Sequence, residues 1–343
     1  MEETDPAIQV DAENYLASGG LPFGNCAILG ANGMLSSYLL NFISAVNSSY
    51  GESSQIFGFA RSGSNFTKKL ETRSNIKMLH LSELESIREL QDVHIIHAAS
   101  PSSLSDLNQN KQALIESNIN LTTNIHSHLE KTGGRLTFFS SGEVYGHNPK
   151  IPTKETDYSP FDHLSVEGYY AETKKFTEML NQIWSDRTNL PVSILRIFHT
   201  FGPGIRRNDT RIFSSAIFGL LDSNKISLTS NGLTTRTFLY SGDLASAISI
   251  TSKVGGFQVF NVGGNEEIKI IDFAKLISGF GQNCEVVCSD LTSDTILSNN
   301  KIKRGHADTH KLRTLGWKPN MKISDAISST IRSAKWREEN SIY

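Results

Sequence analysis

A chain of 343 residues is long enough for one large domain or two coupled ones with a sizeable core. Its 20% charged and 38% hydrophobic residues are ordinary for a soluble globular protein. A formal net charge of −2 provides no general field for nucleic acid or an anionic membrane, so an anionic ligand needs a local site.

No apolar run reaches the ~18 residues of a membrane span. The acidic start "MEETDPAIQVDAENY" has neither the basic head nor the apolar centre of a signal peptide, so the cytoplasm is the expected location. Cys26, Cys284 and Cys288 form no metal pattern and read as free thiols of a reducing compartment; no metal is expected.

Residues 1–22 are polar without a clear period and read as an extension preceding the core. "NCAILGANGMLSSYLLNFISAV" then gives a short apolar run, a glycine turn and an amphipathic helix. Further apolar runs follow in "QIFGFA", "VHIIHAAS", "GRLTFFSS" and "VSILRIF", separated by helical stretches. Short apolar runs alternating with helices predict an α/β protein with a parallel sheet buried on both faces, doubly wound in the Rossmann manner, over residues 23–200. Beyond residue 200, "KISLTS", "RTFLYS" and "FQVFNVGG" alternate with helices and Gly/Asn turns. Residues 201–343 are expected to form mainly a smaller α/β lobe, interleaved with the first domain and closing over its strand ends. The last segment, "ISDAISSTIRSAKWREEN", reads as a surface helix.

In "LGANGMLSS" the glycines Gly30 and Gly33 directly follow the first strand. The first permits a tight turn and the second lets backbone approach a pyrophosphate at the N-terminus of the next helix. Asn32, Met34 and Leu35 complete that candidate seat, and Ser36 stands where a third glycine is common. The alternative is a merely structural strand-to-helix turn. The second strand ends in "FARSGS", with no acidic residue for ribose hydroxyls. Arg61 and Ser62 suit a 2′-phosphate instead, which favours NADP over NAD, although an arginine also stacks on adenine or simply faces solvent.

Tyr170 and Lys174 in "YYAETKK" are four apart on one helix face, whereas Tyr169 has a threonine at that offset. A nearby ammonium favours the phenolate and fits Tyr170 for acid–base work. Ser141, in "FFSSGEVYG", is placed to hold the oxygen that exchanges its proton with Tyr170. A lone Tyr-x-x-x-Lys is usually a helix surface; the glycine turn and serine-ended strand in this order give it weight.

With these motifs the chain resembles the extended short-chain dehydrogenase/reductases, specifically the NAD(P)-dependent nucleotide-sugar epimerase/dehydratase group, from about residue 24 to 320. "GANGMLS", "HAAS", "SSGEVYG", "YYAETK", "RIFHTFGPG", "RTFLYSGDLASAI", "FNVGG" and "LGWKP" carry the resemblance. It implies a Ser141–Tyr170–Lys174 triad, with Lys174 also on the nicotinamide ribose. It implies that Ala98, Ala99 and Ser100 line the cofactor, with Asn118 behind them in a largely structural role. Arg236 and Arg211 would hold the sugar diphosphate, and Ser141, Gly142 and His199 would face the substrate. A homodimer is expected on the same ground, with no nucleic-acid or membrane partner.

The sequence departs from that pattern in places. His199 stands where many relatives carry a ligand-touching asparagine, and it reads equally as a structural histidine. Glu143 fits a decarboxylase or dehydratase role, or a plain capping role. Gly142 lacks the acid that 4,6-dehydration needs. The leading expectation is therefore hydride transfer at sugar C4, as an epimerase or 4-keto-sugar reductase. A decarboxylase or 4,6-dehydratase is the alternative within the class, and a non-catalytic dinucleotide-binding sensor the alternative outside it.

Overall fold

The computed structural model describes residues 4–51, 54–63, 75–88, 90–101, 111–146, 150–158, 160, 162–289 and 304–342, the side chains of 166, 167 and 304 excepted. Strands β1 (Cys26–Leu29), β2 (Ile56–Ala60), β3 (Ile76–His80), β4 (His94–His97), β5 (Arg135–Ser141) and β6 (Val192–Ile197) alternate with helices. Their partners include α1 (Pro6–Ala17), α2 (Met34–Ser49), the short α3 (Gln112–Ile115), α4 (Leu121–Thr132) and α5 (Val166–Thr188).

The main sheet has seven strands, all paired in parallel, in the order β11-β6-β5-β4-β1-β2-β3. β11 (Phe257–Val262) comes from the C-terminal half of the chain, so the two halves are interleaved. β1, β2 and β4 are buried throughout, as their unbroken apolar runs require. The order reverses between β1 and β4, and the crevice outside their carboxyl ends is where an open α/β sheet takes a ligand.

The lobe is built from small pieces. β7 (Thr200–Phe201) pairs with β10 (Leu239–Tyr240), and β8 (Lys225–Leu228) with β13 (Glu285–Cys288). β9 (Thr235–Thr237) lies between β12 (Glu267–Lys269) and β14 (Arg304–Gly305). Helices α6 (Ile212–Ser223), α7 (Ser241–Thr251), α8 (Ile270–Ser278), α9 (His310–Arg313) and α10 (Ile323–Glu339) complete it. The lobe core joins Phe201, Phe213, Ile217, Phe273 and Ile327, with Phe238 stacked on Phe273 at 4.1 Å between ring centres. Met34, from the start of α2, is part of this second core and so locks the glycine turn to the lobe.

The N-terminal segment departs from the expected extension. Within residues 1–22, α1 is packed into the core through Ala7, Ile8 and Ala12. Its stripe is hidden in the sequence by acids that serve buried bonds. Asp5 caps α1 through the Ala7 amide and accepts from Ser333 and Arg337 of α10. Asp11 accepts from the phenols of Tyr38 at 2.8 Å and Tyr240 at 2.6 Å. The C-terminal helix, in turn, buries Ala326, Ile327, Ile331 and Ala334 on one face.

Burial pushes the Asp11 carboxyl up to about 7, against the two phenol donors, with Asp5 adding to the rise. A raised carboxyl binds more protons in the folded state than the unfolded one, so it withdraws stability as pH climbs from about 4 to about 7. Asp11→Asn keeps an oxygen for both phenols and removes the charge. Its melting temperature should gain on the wild type by on the order of a few degrees between pH 4 and pH 8. A gap that stays constant across that range in thermal scans refutes the assignment.

Candidate active site

The site begins at the turn after β1. Gly30 has φ +92°, and a Cβ there would lie 2.7 Å from the Ala99 Cα and 2.9 Å from its amide nitrogen. Only glycine lets the β1 and β4 turns come this close. Gly33 caps the 16-residue α2 without any side-chain hydrogen bond, so the first amides of the helix and its positive end face the crevice. Ser36 is buried in the helix–strand joint, as a third small residue should be. Met34 and Leu35 turn their side chains into the cores, which leaves only their backbone for a ligand. Asn32 donates to the Ser62 carbonyl at 2.8 Å and ties the turn to the loop after β2, where Arg61 and Ser62 are exposed.

Across the crevice, the Ala98 amide bonds Leu29 and the Ser100 hydroxyl accepts from Asn118 at 3.0 Å. Asn118 is fully buried in a π-helical turn, Glu116–Asn120, between α3 and α4. Its backbone carbonyl accepts from Thr122 and Thr177, so it pins α4, α5 and the β4 turn together. Of "HAASPSS", Ser102 and Ser103 lie outside the described residues. A bare helix N-terminus, a glycine with no room for Cβ and exposed Arg61 and Ser62 after the second strand fit a dinucleotide.

Helix α5 brings the candidate reacting groups. Ser165 caps it by accepting from the Gly168 amide, and Asn189 ends it in the left-handed conformation. Tyr170 lies beside the Ser141 side chain, which favours its phenolate. Lys174, 2% exposed, donates to the Phe139 carbonyl at 2.7 Å and lies 5.7 Å from the Tyr170 ring centre. Tyr169 points elsewhere, with the Lys111 ammonium over its ring.

The electrostatics differ from the expected lowered phenol. Burial pushes Tyr170 up to about 12, with Glu143 adding and Ser141 and Arg211 opposing. Lys174 does not counter this, because burial pushes its own ammonium down to about 7 despite Glu178. The protein alone therefore holds Tyr170 as a neutral phenol at pH 7, the form of a proton donor.

The lobe faces this group with cations. Arg236, half-buried on β9, has its charge disfavoured by burial and supported by Glu143. Arg211 is exposed and held by Asp209 at 2.9 and 3.0 Å, an anchored guanidinium that still acts on Tyr170 and His199. His199 sits at φ +28° with its ring against Gly305, where a Cβ would come within 2.7 Å of Nε2. Burial, then Arg236 and Arg211, push it down to about 3, so it is a neutral imidazole. At Gly142 a Cβ would meet the Phe198 ring at 2.9 Å, so an acid at this position has no room beside that buried ring.

Sequence reasoning missed the polar layer behind the triad: Glu178, Arg196, Tyr145 and Asn261. Arg196 bonds both Glu178 oxygens, the Tyr145 hydroxyl and the Glu155 carbonyl. Tyr145 donates to Asn261 of β11 at 2.6 Å. The available signal was spacing, since Glu178 lies four residues beyond Lys174.

Comparison with known proteins agrees with this architecture. Residues 26–263 match the NAD dependent epimerase/dehydratase family, and the chain belongs to it. It is 28% identical over 240 residues to UDP-glucuronic acid decarboxylase 1 of Xenopus tropicalis, covering 69% of this chain and 55% of that protein. UDP-glucuronic acid decarboxylase 4 of Arabidopsis thaliana is 25% identical over 264 residues, 77% of this chain and 58% of the relative. The chain thus spans little more than half the length of these curated relatives.

Among solved structures, UDP-N-acetylglucosamine 4-epimerase of Methanobrevibacter ruminantium M1 shares the fold at TM-score 0.78 and 19% identity, over 92% of this chain and 100% of that one. UDP-glucuronic acid 4-epimerase of Bacillus cereus, solved with UDP-glucuronic acid and NAD, does so at TM-score 0.73 and 21% identity, over 91% and 99%.

Gly30→Ala tests the turn. Left-handed strain alone should cost roughly 1–3 kcal/mol, and the Ala99 backbone must move as well. A lowered melting temperature with loss of dinucleotide binding by calorimetry is expected; wild-type binding would show that the close approach is dispensable.

Proposed function

We propose that this chain is an NAD(P)-dependent enzyme acting on a nucleotide-diphosphate sugar, with hydride transfer at hexose C4 and 4-epimerisation as the leading net reaction. The observation that carries this reading is the placing of Tyr170 beside Ser141, where Glu143, His199, Arg211 and Arg236 converge between sheet and lobe. A bound NAD(P) supplies the hydride acceptor or donor. The C4 oxygen is held between Ser141 and Tyr170. Tyr170 gives its proton to a 4-keto oxygen, or takes the hydroxyl proton in the reverse direction as the phenolate. Arg236 pairs with the diphosphate, where a half-buried guanidinium gains most from an anion. Ser141 and Gly142 face the sugar, beside neutral His199.

Arg61 and Ser62, with no carboxylate at the end of β2, favour NADP over NAD. An enzyme that exchanges NADPH at each turnover is a 4-keto-sugar reductase. Decarboxylation of a sugar acid is the second reading, supported by Glu143 beside Tyr170 and by the decarboxylases among the relatives. Gly142 under Phe198 argues against 4,6-dehydration. A homodimer through α5 is part of the proposal. Phe176, Met179 and Ile183 form an exposed apolar ridge on that helix, at 44%, 46% and 58% exposure. A cytoplasmic location is also proposed; no helix among the described residues is long and apolar enough to cross a membrane.

Two measurements decide the reading. Tyr170→Phe should lower turnover of UDP-hexose or UDP-hexuronate by about 10²–10⁴-fold while dinucleotide binding persists. Near-wild-type turnover would discard the mechanism, and an inert wild type across the sugar-nucleotide panel would favour the sensor. Mass spectrometry of the dinucleotide released on denaturation, with the products, separates the rest. Retained NAD with a C4 epimer means epimerisation, CO2 release means decarboxylation, and an empty site preferring NADPH means reduction.

A further inference from the structure

Three consecutive residues of β5 face three consecutive turns of α5, two of them through hydrogen bonds. Ser141 lies beside Tyr170, the Phe139 carbonyl accepts from Lys174 at 2.7 Å, and Ser140 donates to Glu178 Oε1 at 2.5 Å. Tyr170, Lys174 and Glu178 lie at i, i+4 and i+8 on one helix face, and Glu178 is 7% exposed. Its carboxylate is clamped by Arg196 of β6, with Nη2 to Oε2 at 2.7 Å and Nε to Oε1 at 3.1 Å.

We propose that Glu178 is a positioning residue for the catalytic group: fixed by Arg196 and Ser140, it holds α5 in register with β5 and supplies the negative charge that keeps Lys174 an ammonium. Lys174 has no carboxylate of its own within ion-pair distance among the described residues. Among the described residues its one hydrogen-bond partner is a neutral carbonyl, and its ammonium lies 4.6 Å from the Phe138 ring centre. Among the described residues, the other ionisable groups set around it are neutral or lie behind Glu178. Tyr170 on α5 is a neutral phenol, His97 of β4 is held neutral by burial, and Arg196 of β6 lies behind Glu178. Glu178 is the charge that acts on Lys174, and it acts against the dominant effect of burial.

The inference rests on the reading of Lys174 as the triad lysine, but its test needs neither substrate nor dinucleotide. The Lys174 side chain is titrated by NMR in protein labelled at lysine Cε, its signal assigned by loss in Lys174→Met. Glu178→Gln keeps an acceptor for Ser140 and removes the charge, so the Lys174 midpoint should fall by roughly one pH unit. Glu178→Asp should recover most of the shift, and Ser140→Ala, which keeps the charge, should leave the midpoint near wild type. An unchanged midpoint in Glu178→Gln, or an equal fall in Ser140→Ala, overturns the proposal.

Where Glu178→Gln leaves Arg196 too costly to bury, the double variant Glu178→Gln/Arg196→Gln removes both charges, and the midpoint should still fall. A midpoint there at or above wild type also overturns the proposal. An enzyme that turns over no sugar nucleotide can show the shift, and an active one can lack it, so the two readings fail separately.

Discussion

Burying a lysine ammonium between a strand and a helix is the constraint on which the arrangement of this site depends. Lys174 loses nearly all its water and gains one carbonyl, one aromatic face and a carboxylate a turn away. A charge so placed is costly unless it is matched, and the match here comes from β6 through Arg196 and Glu178. The same bonds that make the ammonium tolerable fix the strand carrying Ser141 against the helix carrying Tyr170. Electrostatic support and geometric register are therefore one network.

The second lobe is joined to this network at more than one point. Tyr145 reaches β11 through Asn261, and Asn261 donates to the carbonyls of Thr153 and Asp308. Met34 places the first turn of α2 in the lobe core. The crevice therefore has walls that are bonded behind it, which suits a ligand with one end on the sheet and the other on the lobe.

Much of this was legible in the sequence because it is written at short range. The glycine turn, the five apolar runs and the Tyr-x-x-x-Lys spacing each depend on neighbours within a few residues, and the parallel sheet followed from their alternation. What stayed hidden depends on partners far away in sequence. Asp5 and Asp11 look like surface acids until Arg337, Tyr38 and Tyr240 are placed against them, and so α1 read as an extension. Gly142 was legible as a missing acid, while Phe198 as its steric reason was not. The raised phenol of Tyr170 was also out of reach, because spacing shows that a lysine is near and says nothing about how dry it is.

The bond between Asp5 and Arg337 links positions 332 residues apart. During synthesis on the ribosome, α1 emerges before α2 and α10 and can lie against α2 once that helix is made. The carboxylate of Asp5 then waits without its guanidinium until α10 leaves the exit tunnel. α10 thus completes the burial of a helix made more than 300 residues before it, and the fold closes only once both are present.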